Sequence, residues 1–376
     1  MTVIINKFVI HQLIKEKQEP ALPLDLKDDL LPTDNTTVIN LMNGILNAYG
    51  RKNSSAQYGV FETKDYKGQF PKGFKDYFSI EEQKDSDFLK ITYESMKELH
   101  EKASAQPLAT GGYIVFSDYI VDSVRFFLIA MIKQKDGYRI VNNKNTLNVE
   151  DLVYLDLSRL HQAAKINFDK FDSYQLADEN EKNDITYLSF VSPLTQKDTA
   201  GYFISALGCK PGAPSQKLTM KVVSESVNFF RSKPNLAPYS DELKAQILSY
   251  LTDKTSSEPK STAKLSEIEN IARRFFPADD HDLLEELSDE FITRLNSDEV
   301  GIPVEFNPNF NAIKKLTRIS YKDKNFVIDF DRNDLGTEQD DKLCYSNGKL
   351  IINQMPEGLI KEIEKQLGLI KEDGSS

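Results

Sequence analysis

The segment GGYIVFSDYIVDSVRFFLIAMI, residues 111 to 132, constrains the fold more than any other part of the chain. After the turn at Gly111 and Gly112, YIVFSDY and VRFFLIAMI are rich in β-branched and aromatic residues and read as adjacent strands of a central sheet. The run FFLIAMI, residues 126 to 132, is far shorter than a membrane span and reads as a buried core element. Around this pair the chain alternates strand-like and helix-like stretches. Val3 to Ile14 reads as a strand. A helix capped near Thr33 or Asp34 buries Val38, Leu41, Met42, Ile45 and Tyr49, which recur at helical spacing. A second helix is expected over Ser86 to Ala103, and a further strand of the sheet near Tyr138 to Asn142.

Punctuation divides the rest. The polar run ADENEKND, 177 to 184, reads as a solvated loop, and in ALGCKPGAPS, 206 to 215, Gly208 can end a helix that Pro211, Gly212 and Pro214 prevent from continuing. Residues 215 to 296 look predominantly helical, with Ser240 as an N-cap and Leu284, Leu287, Phe291 and Leu295 on one buried face; TSSEPKST, 255 to 262, links two of these helices. FVIDF places Phe326, Ile328 and Phe330 on one face of a strand, and Lys322 to Asn325 can turn it against RISY with Ile319 and Tyr321 in the same alternation. Asn347-Gly348 suits a type I′ turn, a register that opposes Tyr345 to Leu350 and Leu343 to Ile352. A final helix is expected to cover this sheet with Leu359, Ile363 and Leu367. The expected class is therefore α+β. An N-terminal mixed sheet-and-helix domain spans residues 1–210. A C-terminal domain, 211–376, holds helices, then an antiparallel β-meander over about 316–353 and a terminal helix. There is no internal repeat.

A chain of 376 residues with only Cys209 and Cys344 has neither a disulfide framework nor a multi-thiolate zinc site, which fits a reducing compartment. The N-terminal apolar stretch is broken by Asn6, Lys7, His11 and Gln12, so neither a signal sequence nor a membrane location is expected. Catalytic signatures fail one by one. Gly68 and Gly73 have P-loop spacing but are followed by Phe74 and Lys75. There is no dinucleotide fingerprint and no nucleophile elbow, and His100-Glu101 lacks the second histidine of a zinc helix. Asp329, Asp331, Asn333 and Asp340 begin like a calcium loop, but Asp334 stands where the turn glycine belongs and Gly336 comes two residues late. His11, His100, His161 and His281 are scattered, and the two thiols have no evident activating neighbour. No catalytic residue, metal ligand or cofactor is assigned.

The charge is uneven. Against a net −11, residues 279 to 299 alone net −8, with Asp279, Asp280, Asp282, Glu285, Glu286, Asp289, Glu290, Asp298 and Glu299 offset by Arg294. Two stretches net +4 each: Lys210, Lys217, Lys221, Arg231 and Lys233 against Glu225, and Lys314, Lys315, Arg318, Lys322 and Lys324 against Asp323. Cations gathered on one surface attract phosphate, so these ten residues are the candidate nucleic-acid contacts. The bland alternative is a solvated helix face and a solubilised hairpin edge.

Several segments, in order, resemble the bacterial nucleoid-associated protein family known as NdpA or YejK. They are HQLIK (11 to 15), GGYIVFSDY (111 to 119), YLDLSRLHQAAKINF (154 to 168), YLSFV (187 to 191), AGYFISALG (200 to 208) and LTRISYKDKNFVIDFD (316 to 331). The resemblance implies a cytoplasmic protein of the bacterial nucleoid that binds DNA, expected to be double-stranded, without a catalytic residue set to transfer. The DNA contacts themselves are inferred from charge. Three functions follow in order: a non-catalytic DNA-binding protein with little sequence preference, an interaction module recruited by a DNA-binding nucleoid protein, and an enzyme whose site is assembled from distant residues. A homodimer would raise avidity by pairing two modest basic patches.

Overall fold

The computed structural model describes residues 3–50, 55–62, 68–143, 146–158, 160, 162–191, 197–212, 215–256, 261–324 and 326–369. His161, Pro214, Asn325 and the centre of the expected linker at 257–260 lie outside the described residues. The chain divides into two compact units, Met1–Asn309 and Phe310–Ser376.

The first unit begins with β1 (Val3–Leu13), α1 (Thr36–Ala48), β2 (Gln57–Phe61), α2 (Phe70–Phe78) and α3 (Asp85–Ser104). Next come β3 (Gly112–Val121), β4 (Val124–Ile132), β5 (Gln134–Asn143), β6 (Thr146–Leu155) and β7 (Gln162–Asn167). They are followed by α4 (Phe168–Leu176), β8 (Leu188–Val191), α5 (Lys197–Ala206) and β9 (Cys209–Pro211). The strand order β1-β3-β4-β7-β8-β2-β9 makes one seven-stranded sheet with every pairing antiparallel. The expected pair of adjacent strands forms its middle, and its apolar run is explained by cover on both faces. Phe127, Ile129 and Met131 of β4 join the core beneath α2 and α3, where Phe70, Phe74, Tyr77 and Phe88 pack. The alternate residues Phe126, Leu128, Ala130 and Ile132 face the core under α1, with Val38, Met42 and Ile45. Helix α1 starts where the Asn35 side chain accepts a hydrogen bond from the Thr37 N–H, next to the expected caps.

A buried polar knot sits inside this sheet. The Asp118 carboxylate on β3 accepts from Tyr77 Oη (2.7 Å), Asn6 Nδ2 (2.9 Å), Arg125 Nε (2.9 Å) and Arg125 Nη2 (2.5 Å). The Arg125 guanidinium lies 4.4 Å over the Phe168 ring. With both carboxylate oxygens and the guanidinium fork engaged, a charge that would be expensive alone is tolerated in the core.

Strands β5 and β6 leave the central sheet. The strand expected near Tyr138 exists, but it pairs only with β6 among the described residues, forming a separate two-stranded arm.

A helical layer completes the unit: α6 (Gln216–Arg231), α7 (Ser240–Ser256), the short strand β10 (Ala263–Lys264), α8 (Leu265–Arg273), α9 (His281–Leu295) and β11 (Glu305–Phe306), which pairs with β10. Its centre is aromatic, with Phe229 and Phe291 edge to face at 5.1 Å and Phe230 and Phe276 beside them. The buried face expected on α9 is present in Leu287, Phe291 and Leu295. Two features fasten this layer to the sheet. Gly208 ends α5 at φ 62°, as expected, and β9 then returns to pair Lys210 with Val60 of β2. Asn296, buried just beyond α9, imitates a strand neighbour: its Oδ1 accepts from the Ala56 N–H (2.6 Å) and its Nδ2 donates to the carbonyls of Ala56 (2.8 Å) and Ile302 (2.7 Å). The junction expected at 210/211 thus falls inside the first unit.

In the second unit, α10 (Phe310–Thr317) leads into the hairpin β12 (Arg318–Lys322) and β13 (Val327–Asp331), which pairs Ile319 with Phe330 and Tyr321 with Ile328. A 3₁₀ turn at Arg332–Asp334 separates this from a second sheet, β14 (Leu335–Gly336), β15 (Leu343–Ser346) and β16 (Lys349–Ile352). The expected strands between 316 and 353 are therefore divided over two small sheets, and β14 runs parallel to β15. The Asn347-Gly348 turn takes φ 51° and 76°, with the expected register of Tyr345 opposite Leu350 and Leu343 opposite Ile352. Helix α11 (Glu357–Gln366) corrects one expectation: Leu359, Ile363 and Leu367 stay 39–67% exposed instead of covering the sheet. The small sheets likewise leave Tyr321, Val327, Tyr345, Ile351 and Ile352 exposed.

Candidate nucleic-acid interface

Cations bind phosphate only when their charge is not already spent, so the ten candidates separate by what each one touches. In the first stretch Lys210 pairs with Glu62 at 3.0 Å and Lys217 with Asp184 at 3.2 Å. Arg231 meets Asp241 at 3.5 Å and Lys233 meets Glu290 at 2.7 Å, while Lys221 Nζ donates to the Glu299 carbonyl at 3.1 Å. Two of these partners, Glu290 and Glu299, belong to the acidic stretch 279–299, and Arg294 of that stretch in turn pairs with Glu225 of α6 at 3.4 Å. One ion pair, Lys233–Glu290, thus joins a cation of the basic stretch to the acidic stretch, while Lys210, Lys217 and Arg231 take carboxylates from elsewhere. The acidic face of α9 is tied further by Glu285 to Arg273 at 2.5 Å, and Asp280 caps the helix through the Leu283 N–H.

The second stretch differs. Lys314 and Arg318 share Asp329, at 3.3 Å and 2.8 Å, and that arginine hydrogen bond holds the Asp329 carboxyl below the usual range. Lys315, Lys322 and Lys324 are exposed and have no ion-pair partner among the described residues. Five cations against Asp323, the shared Asp329 and Asp331 leave α10 and the β12–β13 hairpin at a net +2, with three of the cations unpaired among the described residues. Among the described residues no group of three or more His, Cys, Asp or Glu converges as metal ligands.

A cavity of about 590 Å³ between sheet and helical layer brings in a residue the sequence did not single out, Lys170 on α4, beside Lys217 and Lys221. Three carboxylates, Asp184, Glu299 and Glu305, line the same cavity and balance those lysines. Burial lowers the Lys170 pKa. Next to it the buried Lys165 is bound by Asp298 and lies 4.4 Å over the Tyr49 ring. No sequence motif marks these lysines, since only the return of residues 298–306 to the sheet brings the carboxylates to them.

The reactive residue types are engaged structurally. Burial pushes the Cys209 thiol up, away from thiolate chemistry. His100 contacts the Leu22 carbonyl at 3.0 Å. His11 is fully buried; its Nδ1 accepts from the Lys27 N–H at 3.1 Å and its Nε2 meets Thr92 Oγ1 at 2.9 Å. Because the Thr92 hydroxyl donates to the Leu89 carbonyl, Nε2 carries the proton and the ring is neutral. Burial lowers its pKa from 6.5 to about 4. The unfolded chain therefore binds a proton that the folded chain refuses. This contribution to stability is fully present above about pH 6.5 and is lost as the pH falls from there through 4. Melting curves from pH 4 to 7 should show that decline, and His11→Gln should flatten it. An unchanged pH slope in the variant would show that His11 does not set the decline.

A family model described as nucleoid-associated protein YejK matches residues 9–367 of the chain. A nucleoid-associated protein of Pseudomonas entomophila strain L48 is 23% identical over 367 residues, which cover 96% of this chain and 99% of that protein. A nucleoid-associated protein of Metapseudomonas resinovorans is 22% identical over 364 residues with the same coverage. Among the described residues no helix is long and apolar enough to cross a membrane.

Proposed function

The chain belongs to the nucleoid-associated protein YejK family, and from that premise we propose that it binds double-stranded DNA directly in the bacterial nucleoid, through phosphate contacts and without a catalytic step. The observation that carries this reading is the trio Lys315, Lys322 and Lys324, exposed and unneutralised on α10 and the β12 hairpin, with Lys314 and Arg318 sharing one carboxylate beside them. Because the sequence carries no recognisable base-reading motif, the reading is of positioning on the backbone with little sequence preference. The other candidates, Lys210, Lys217, Lys221, Arg231 and Lys233, are held by intramolecular partners and contribute less.

The triple variant Lys315→Glu/Lys322→Glu/Lys324→Glu should weaken duplex binding and make the dependence of log affinity on log salt shallower by about 3, at roughly 0.9 for each phosphate no longer neutralised. Unchanged affinity and slope would remove this patch from the interface.

The second reading, recruitment by a DNA-binding protein, is favoured by the first unit, whose residues 1–309 carry 36 Lys or Arg against 46 Asp or Glu, whereas 310–376 is near balance with 11 against 12. Association with the nucleoid that survives nuclease treatment of the complex would support it.

A further inference from the structure

The β5–β6 arm has no partner among the described residues, and its two faces are finished differently. On one face Arg139 pairs with Glu150 at 2.8 Å, and the Tyr154 ring fills the space above Gly137, where a Cβ would stand 2.8 Å from it. On the other, the register sets Ile140 opposite Val149 and places Tyr138, Leu147 and Val153 on the same face, all five 55–78% exposed, with Asp151 opposite Tyr138 and Asp136 opposite Val153. An isolated two-stranded ribbon is marginal in water, so an uncovered apolar stripe along its length needs a partner. At the root of the arm lies a groove of about 620 Å³, with Ile10, Leu31, Tyr113, Val115, Ile132 and Leu155 among its lining residues.

We propose that the arm is a dimerisation device whose occupant is a second copy of this chain. Stripe and groove adjoin on one molecule, so a two-fold axis can place each arm against its partner's arm and groove in a self-complementary contact. Charge gives the arm no attraction for DNA: residues 134–155 carry Lys135, Arg139 and Lys144 against Asp136, Glu150 and Asp151, a net of zero. The area suffices. Five apolar side chains at roughly 100 Å² each expose about 500 Å². A reciprocal contact would remove about 1,000 Å² from the two stripes alone, the size at which specific interfaces begin. This inference does not depend on the DNA-binding reading.

The test is sedimentation velocity on the full chain across a concentration series. The wild type should sediment as a dimer of the 42.8 kDa chain. Ile140→Glu/Val149→Lys keeps a favourable cross-strand pair but charges the stripe, and it should raise the dimer Kd by at least about 100-fold with the melting temperature of the main transition retained. Arg139→Ala/Glu150→Ala, on the opposite face, should remain dimeric. A monomeric wild type, a dimer unaffected by the stripe variant, or equal loss of the dimer in both variants would overturn the proposal. Binding of labelled duplex DNA that is lost on charging the stripe, with the protein a monomer throughout, would assign the arm to DNA instead.

Discussion

Replacing Asp118 with alanine is expected to cost about 3–5 kcal/mol of folding stability, because removing one partner of a buried ion pair leaves the other without compensation. The carboxylate is fully buried and is the common acceptor for Arg125, Tyr77 and Asn6. Its loss orphans the Tyr77 hydroxyl in the core and unpairs the guanidinium that crosses the Phe168 ring. Urea unfolding monitored by circular dichroism measures the effect. Asp118→Asn should recover part of the loss, since an amide oxygen still accepts from one donor while its NH₂ group opposes the others. A cost below about 1 kcal/mol for the alanine variant would mean that the knot relaxes or hydrates, and that the Asp118 carboxylate does not hold α2 to the sheet through Tyr77.

The second large effect is expected at Asn296. Alanine there leaves the N–H and carbonyl of Ala56 and the carbonyl of Ile302 without their partner. Orphaned buried groups cost about 1–3 kcal/mol each before relaxation, so a total of about 3–5 kcal/mol is expected. Asn296→Asp discriminates further. The side chain keeps its shape, but an oxygen replaces the Nδ2 donor opposite two carbonyl oxygens, so the aspartate should be at least as damaging as alanine near neutral pH and recover when the pH is lowered enough to protonate it. An aspartate variant as stable as the wild type at pH 7 would show that the side chain does not clip the helical layer to β2.

What the sequence disclosed follows from how local each signal is. The type I′ turn at Asn347-Gly348 is set by the φ preferences of two residues, and with it came the register of β15 and β16. The β3–β4 pair announced itself by composition because both faces of β4 are buried. Remote pairing leaves no such local mark. The alternation around Tyr138 to Asn142 has the look of a half-buried strand, yet the partner that takes it out of the central sheet is β6, whose residues carry no comparable signal. The Gly-Pro punctuation at 206 to 215 marks the end of a helix but gives no hint that β9 turns back to pair with β2. Leu359, Ile363 and Leu367 are spaced as an inward face, yet they and Tyr345, Ile351 and Ile352 of the small sheet all remain exposed.

Charge was half legible in the same sense. The count located both basic stretches and the acidic one. It could not show that Lys210, Lys217, Arg231 and Lys233 each meet a carboxylate brought up by the fold, Glu62, Asp184, Asp241 and Glu290. That pairing moves the candidate DNA surface to Lys315, Lys322 and Lys324, whose sequence signal was no stronger than that of the residues they displaced.

Direct phosphate binding is tested most plainly by fluorescence anisotropy of labelled duplex DNA with purified, nuclease-treated full-length chain over a salt series. Direct contact predicts binding at low salt whose log affinity falls linearly with log salt, at a slope of about −3 to −4.5 for three to five lysine and arginine contacts. Absence of binding at the lowest salt would contradict it, and would move the protein's place at the nucleoid to a partner that binds the DNA.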